Sequence, residues 1–312
     1  MINRFSHAVR KFGGRLLKRK EKFSFELDGR IFSQPRFLKR DTGKILSKAG
    51  RMAWFAIMDD QPVKIYECYN ESHAVFIEKV SSHPALQFYF PVCLLRVGAY
   101  LVVEWIEGKP IKWQQAMRDR SIIKQVARMQ ASIHAYSLSL QKPSDSFNYM
   151  KYLKDRLFNF RGILPIDGSV KMIFKTLEHN TPMTEEHISH PDVTAVNLIM
   201  EEGTGNLKVI DNELLTQNNY FLIDLFNTHY SFGRRLETDL FEPYLASYTD
   251  NGGNLKSLAE SERFYSALWY LRLIGSSLQS GAIGQAYQLS QKFVEDGGKH
   301  HPLIQLIKER FL

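Results

Sequence analysis

Hard oxygen donors crowd the stretch from His190 to Leu215, HPDVTAVNLIMEEGTGNLKVIDNELL. A polar loop leads into an apolar strand, Asn197 to Met200. A turn containing Gly203 and Gly205 follows, then a second apolar strand, Leu207 to Ile210. Two short apolar runs joined by a polar, glycine-containing turn predict a hairpin. Asp192 precedes the first strand, Asn197 opens it and Asp211 closes the second, so the fold should bring two carboxylates and an amide oxygen together. Mg²⁺ takes such ligands in small number, with phosphate oxygens completing its shell. The competing reading is local, because Asp and Asn also cap turns.

The rest of the chain must position these groups. Its 312 residues suffice for two domains with ample core, and 44% hydrophobic with 24% charged residues is an ordinary globular composition. No apolar run reaches the roughly 18 residues that span a bilayer. The basic N-terminus has no continuous apolar core of the secretory kind. Cys68 and Cys93 form no metal-type pair, which points to a reducing, cytoplasmic setting.

The net charge of +8 is unevenly spread. Residues 1–51 hold 15 Lys and Arg against 4 Asp and Glu, whereas the remainder holds 26 against 29. Within 1–22, Ile2, Phe5, Val9, Phe12 and Leu16 recur at helical spacing among basic residues. That pattern predicts a basic amphipathic extension able to lie on an anionic membrane surface, placing the protein at the inner membrane face. Gly13-Gly14 weakens the helix, and a solvated extension or a helix packed on the body is the alternative. Few aromatics interleave with the charges and no binding module is recognisable, which argues against nucleic acid.

The spacing His-x-Asp-x-x-x-x-Asn, then a strand and Val209-Ile210-Asp211-Asn212, resembles the catalytic and metal-binding segments of the protein-kinase-like superfamily, in its aminoglycoside phosphotransferase and choline kinase branch. The resemblance implies a two-lobed α+β fold: a small antiparallel β lobe over 23–106 and a larger, mainly helical lobe over 107–312. It also implies ATP and Mg²⁺, with Asp192 as the catalytic base and Asn197 and Asp211 as metal ligands.

Other parts follow from the same resemblance. Short β runs fill Phe23 to Tyr66 (FSFEL, KILSK, MAWFAIM, PVKIYE), with turns at Asp28-Gly29 and Asp59-Asp60. Lys64 matches the strand lysine that meets nucleotide phosphates, and the loop around Gly50 the phosphate-covering loop, with a single glycine. The helix Asn70 to Val80, capped by Asn70, offers Glu71 and Glu78 as partners of Lys64, seven residues apart on one face. Tyr100 to Gly108 resembles the lobe linker, making Glu104, Trp105 and Ile106 the adenine contacts, with Gly108 at the exit.

Farther on, Ser121 to Leu138 reads as a helix containing His134 as a hydrogen-bonded core histidine. Helical stretches follow around Met150–Phe160 and Val170–Leu177. Asp224 is expected to support the catalytic loop. Arg272, on a C-terminal helix, is read as snorkelling, with an acceptor phosphate as its alternative partner.

The implied function is transfer of phosphate from ATP to a hydroxyl of a small molecule or sugar. The basic N-terminus and the lack of an acidic cluster favour a cell-surface glycan or lipid-linked sugar over an aminoglycoside. The alternative is a pseudokinase, a nucleotide-responsive binding or scaffold protein.

Overall fold

The computed structural model describes residues 24–38, 47–48, 51–136, 147–158, 167–233, 241–297 and 301–312. The extension 1–22 and Gly50 lie outside the described residues. Twelve strands and eleven α-helices occur among those described. The strands are β1 (Ser24–Leu27), β2 (Arg30–Phe37), β3 (Ser47–Lys48), β4 (Arg51–Met58), β5 (Gln61–Glu67), β6 (Cys93–Val97), β7 (Tyr100–Glu104), β8 (Gly108–Pro110), β9 (His187–Ser189), β10 (Leu198–Glu201), β11 (Leu207–Val209) and β12 (Thr216–Asn218). The helices are α1 (Glu71–Ser81), α2 (Trp113–Arg118), α3 (Arg120–His134), α4 (Tyr149–Phe158), α5 (Asp167–His179), α6 (Ile223–Thr228), α7 (Phe241–Asp250), α8 (Lys256–Glu260), α9 (Glu262–Gln279), α10 (Ile283–Asp296) and α11 (Pro302–Arg310).

These elements form two compact units. The first takes the described residues up to Lys109, Phe147 and, from far along the chain, Met200–Glu213. The second takes the described parts of Pro110–Gln141, Asn148–Ile199 and Leu214–Leu312.

In the first unit a seven-stranded antiparallel sheet runs β1-β2-β4-β5-β7-β6, with β3 beside β4. Period-two alternation puts Trp54, Ala56 and Met58 of β4 on one face with Val63 and Ile65 of β5, Tyr100 and Val102 of β7 and Phe32 of β2. The connections use residues that tolerate positive φ: Asp28 and Gly29 (51° and 72°), then Asp59 and Asp60 (46° and 66°). Strand β2 was not predicted. Its IFSQPRF carries Pro35, which cannot donate to a ladder; the register shifts between Ser33 and Arg36 and Gln34 has φ 51°, a bulge that absorbs the proline. Helix α1 is capped as expected, the Asn70 side chain accepting from the His73 amide at 2.8 Å, and it packs on β6 and β7.

In the second unit α9 is the central helix. Twelve of its residues are buried, including Phe264, Leu268, Leu271 and Ile274, and it packs against α4, α5 and α10. A helix buried nearly all round belongs in a core. Helix α3 packs along α7. The short ladder of β9 with β12, Ser189 opposite Thr216, anchors the chain just before the His190–Asn197 loop.

Candidate active site

The loop that carries Asp192 is held from beneath by one helical face. Asp224, Asn227, Thr228 and Ser231 fall at helical spacing along α6 and the turn after it, and each bonds loop backbone or side chain. Asp224 accepts from the Ser189 hydroxyl (2.9 Å) and the His190 amide (2.5 Å). Asn227 Nδ2 donates to the Pro191 carbonyl (2.6 Å), the Thr228 hydroxyl to that of Val193 (3.3 Å), and the Ala195 amide donates to the Ser231 hydroxyl (2.9 Å). Buried loop backbone has to find such partners, and here a polar helix face supplies them.

Asp224 is itself fully buried and also meets His134 Nε2 at 3.0 Å, whose Nδ1 lies 2.8 Å from the Tyr248 hydroxyl. His134 is thus the core histidine expected, and Asp224 sits where a support for the loop must sit.

Asp192 stands in a different condition. Its side chain keeps 16% of its exposure. Asn197, in the 3₁₀ turn Ala195–Asn197 just ahead of β10, donates Nδ2 to both the Asp192 carbonyl and Oδ2, each at 2.9 Å. With its nitrogen committed, the amide has its oxygen left to offer a cation. Arg272 Nη2 lies 3.5 Å from Asp192 Oδ1, and its side chain is only 16% exposed. This corrects the snorkelling reading: Arg272 turns inward to the carboxylate, a pairing between α9 and a loop that sequence spacing could not show.

In the first unit, Lys64 on β5 is 7% exposed, donates to the Ile210 carbonyl at 2.7 Å and lies over the Tyr66 ring at 5.1 Å. The strand lysine is therefore tied to the residue before Asp211. Asp211, Asn212 and Glu213 are all buried. The Tyr66 hydroxyl is pushed well above its ordinary range, by burial first and then by the nearby Cys68, Cys93, Glu213 and Asp211. Glu213, not singled out from the sequence, so brings a second buried carboxylate close to Asp211. Only its spacing, Asp-x-Glu after an apolar strand, could have flagged it.

The expected carboxylate partner of Lys64 is not made. Glu78 Oε2 pairs with Arg96 Nε at 2.6 Å and Glu71 Oε1 with Arg96 Nη1 at 3.7 Å. Because α1 packs on β6 and β7, the face that carries both glutamates looks onto the edge strand holding Arg96. In the linker, Glu104 Oε1 accepts from the Val92 amide (2.9 Å) and pairs with Lys208 Nζ (3.2 Å), which also donates to the Phe90 carbonyl (3.3 Å). The Glu104 amide donates to Val92 and the Trp105 amide to Pro62. The Trp105 ring meets Phe55 edge-on at 5.1 Å. Glu104 and Trp105 therefore brace the linker, and the amide of Ile106, 7% exposed, has no such backbone acceptor among the described residues.

Among the described residues no group of three or more His, Cys, Asp or Glu side chains is placed to hold a metal. Each unit by itself nevertheless offers hard oxygen donors of the kind Mg²⁺ takes: in the first the buried carboxylates of Asp211 and Glu213, and in the second the Asn197 amide, whose nitrogen is already committed.

No protein-family model and no curated protein matches the chain. Solved structures do. Choline kinase LicA from Streptococcus pneumoniae superposes with TM-score 0.58 at 15% identity, over 93% of this chain and 97% of that one. The microcompartment-associated aminopropanol kinase gives 0.58 at 14%, over 86% and 94%. A thermostable aminoglycoside phosphotransferase mutant, in ternary complex with ADP and hygromycin B, gives 0.52 at 12%, over 92% and 95%. At such identities the likeness establishes the fold. The chain shares the α+β fold of these choline, aminopropanol and aminoglycoside kinases, the fold that the motif order implied.

Among the described residues no helix is long and apolar enough to cross a membrane.

Proposed function

We propose that the chain is an ATP- and Mg²⁺-dependent phosphotransferase acting on a hydroxyl of a small molecule. The observation that carries this reading is the pair of hydrogen bonds that Asn197 Nδ2 donates to Asp192 on a loop pinned by Asp224. It fixes one carboxylate, partly open to solvent, in a rigid frame. Asp192 orients the acceptor hydroxyl and takes its proton. The hydroxyl oxygen bonds to the γ-phosphorus of ATP as the bond to the bridging oxygen breaks, and ADP leaves. Lys64 meets the nucleotide phosphates, and Ile106 supplies an adenine contact. Bound Mg²⁺, with Asn197 and Asp211 as its protein ligands, would neutralise phosphate charge. Fixed donors and charges of this sort act by positioning and electrostatics.

The fold neighbours are named as kinases of choline, ethanolamine and aminopropanol and as aminoglycoside phosphotransferases, which supports a small-molecule acceptor. A glycan or lipid-linked sugar is the finer reading, and it rests on the basic residues 1–22. Deleting them should release the protein from anionic vesicles; unchanged vesicle binding would remove that idea.

The decisive experiment is a thermal-shift titration with ATP, GTP and ADP, with and without Mg²⁺, on the wild type and Asp211→Ala. A Mg²⁺-dependent rise that the variant loses supports the nucleotide site. No rise with any nucleotide sinks the kinase reading.

A second reading, a nucleotide-responsive scaffold, draws on one observation: Arg96, not Lys64, holds Glu71 and Glu78. Nucleotide binding without ADP formation on any acceptor would favour it.

A further inference from the structure

Beside Asp192 the second unit places a guanidinium that this carboxylate pairs only at long range. Arg272 carries five N–H donors and has one ion-pair partner among the described residues, Asp192, at the long distance of 3.5 Å. Such a guanidinium has lost most of its water without gaining a full set of acceptors.

A second, more exposed guanidinium is without a carboxylate among the described residues. Arg156, on α4, donates Nη2 to the neutral side chain of Gln279 at 2.8 Å and lies over the Tyr152 ring at 5.4 Å, while its Nε is buried with no hydrogen-bond partner.

The two arginines share a neighbourhood. Tyr149, two turns before Arg156 on α4, feels Arg272, Asp192 and Arg156 together. Arg156 runs past Gly275, one turn along α9 from Arg272. Arg272 thus faces Asp192, and Arg156 lies farther along the same helix face, beside Gly275 and Gln279, with the rings of Tyr149 and Tyr152 stacked at 6.1 Å on its own helix.

An ammonium-bearing acceptor such as choline or an aminoglycoside would enter this region against its charge. An oxyanion would supply what both guanidiniums lack, and planar forked donors suit phosphate and carboxylate.

We propose that the acceptor hydroxyl belongs to an anionic compound, a phosphate ester or a carboxylate, whose charged group is bound by Arg272 with Arg156 behind it. This rests on the phosphotransferase reading for the identity of the hydroxyl's fate, but the anion site stands on its own geometry. In the free chain Arg272 leans on Asp192.

The test uses the full chain. Inorganic phosphate, glycerol 3-phosphate, glycerate, glycerol and choline are titrated by thermal shift, without nucleotide and again with saturating ADP and Mg²⁺ to fill any nucleotide phosphate site. In wild type, phosphate and at least one of the two anionic hydroxyl compounds raise the melting temperature beyond the ADP increment, and glycerol and choline do not. Arg272→Ala weakens the anion response at least tenfold and keeps the ADP increment, which certifies its fold. Arg272→Lys restores part of it, because a lysine keeps the charge and loses the fork. Comparing glycerol 3-phosphate with glycerate separates phosphate from carboxylate.

Equal anion responses in wild type and Arg272→Ala, no anion response in wild type, or a choline response larger than that of either anion would each overturn the inference. Loss of the ADP increment in wild type would overturn the kinase reading instead, with the comparison of wild type and Arg272→Ala in phosphate alone still deciding this one.

Discussion

Two aspartates of the second unit, Asp192 and Asp224, sit within a few residues' reach of the same loop in opposite conditions. Asp224 is fully buried and saturated, with acceptors spent on Ser189, the His190 amide and His134. Asp192 is partly open, fixed from one side by Asn197 and loosely met by Arg272. Both are acidic residues in the neighbourhood of a kinase-like loop, so residue type does not separate their roles. Their hydrogen bonds do. A carboxylate whose lone pairs are committed to the chain can hold structure and cannot take a substrate's proton, whereas one with an open side can.

The same isosteric change at both sites should therefore give opposite outcomes. Asp192→Asn is expected to lower phosphate transfer by about 10²–10⁴-fold, with the urea midpoint close to that of wild type. A variant that transfers phosphate at the native rate would end the assignment.

Asp224→Asn should instead unfold easily. An amide places a donor against donors from the chain, and each buried donor left without its acceptor costs about 1–3 kcal/mol. Chemical denaturation reads that loss directly. A stable but inactive Asp224→Asn would make the two sites alike and spoil the contrast.

Histidines sharpen it further. His134 is held against a carboxylate, whereas burial depresses His229 to about 4, and burial with the neighbouring His229 and Lys292 depresses His301 to about 3. Both values lie below the ordinary 6.5, so the unfolded chain binds these protons first. Stability should be level above about pH 6.5 and fall as pH drops towards 4, by about 1.4 kcal/mol per unit for each histidine. Unfolding midpoints at pH 7, 6 and 5 should show the decline, and His301→Asn, which keeps a helix-capping side chain before α11, should make it shallower. A flat profile in wild type would contradict the burial.

The smallest effect is expected in the first unit. Glu71→Ala removes a 3.7 Å contact from a largely exposed side chain and should change stability by less than about 1 kcal/mol. It should leave the ADP thermal shift unaltered. A lost shift would mean that Glu71 leaves Arg96 for Lys64 once nucleotide is bound.

Local signals carried much of this into the sequence. The hairpin after Asn197, the Asn70 cap, the turns at Asp28-Gly29 and Asp59-Asp60 and the helix containing His134 each depend on a few neighbouring residues, and composition and period reveal them; the supporting place of Asp224 came from the family resemblance alone. Pairings across the chain were not legible. Nothing near Glu71 or Glu78 announces that Arg96, on a strand beyond the helix, will take both. Lys208 reaching Glu104 and Arg272 reaching Asp192 depend on tertiary distance alone. Strand β2 was hidden for another reason, since Pro35 argues against a strand unless a bulge is already known. Glu213 was visible as a letter, but its burial beside Tyr66 was not.

The first unit closes only with residues 200–213, and its bond from Lys64 to Ile210 spans 146 positions. During synthesis the sheet strands up to β7 emerge long before that carbonyl exists. At about 5–20 residues per second the ribosome needs roughly 5–20 s after Lys109 to deliver Glu213. Through that interval the nascent sheet carries a lysine destined for burial with no acceptor, and β11 with its Lys208 is still missing from beside Glu104. The N-terminal part of this chain therefore cannot finish folding first, although it is made first, and a nascent-chain chaperone would find its longest-lived client surface there.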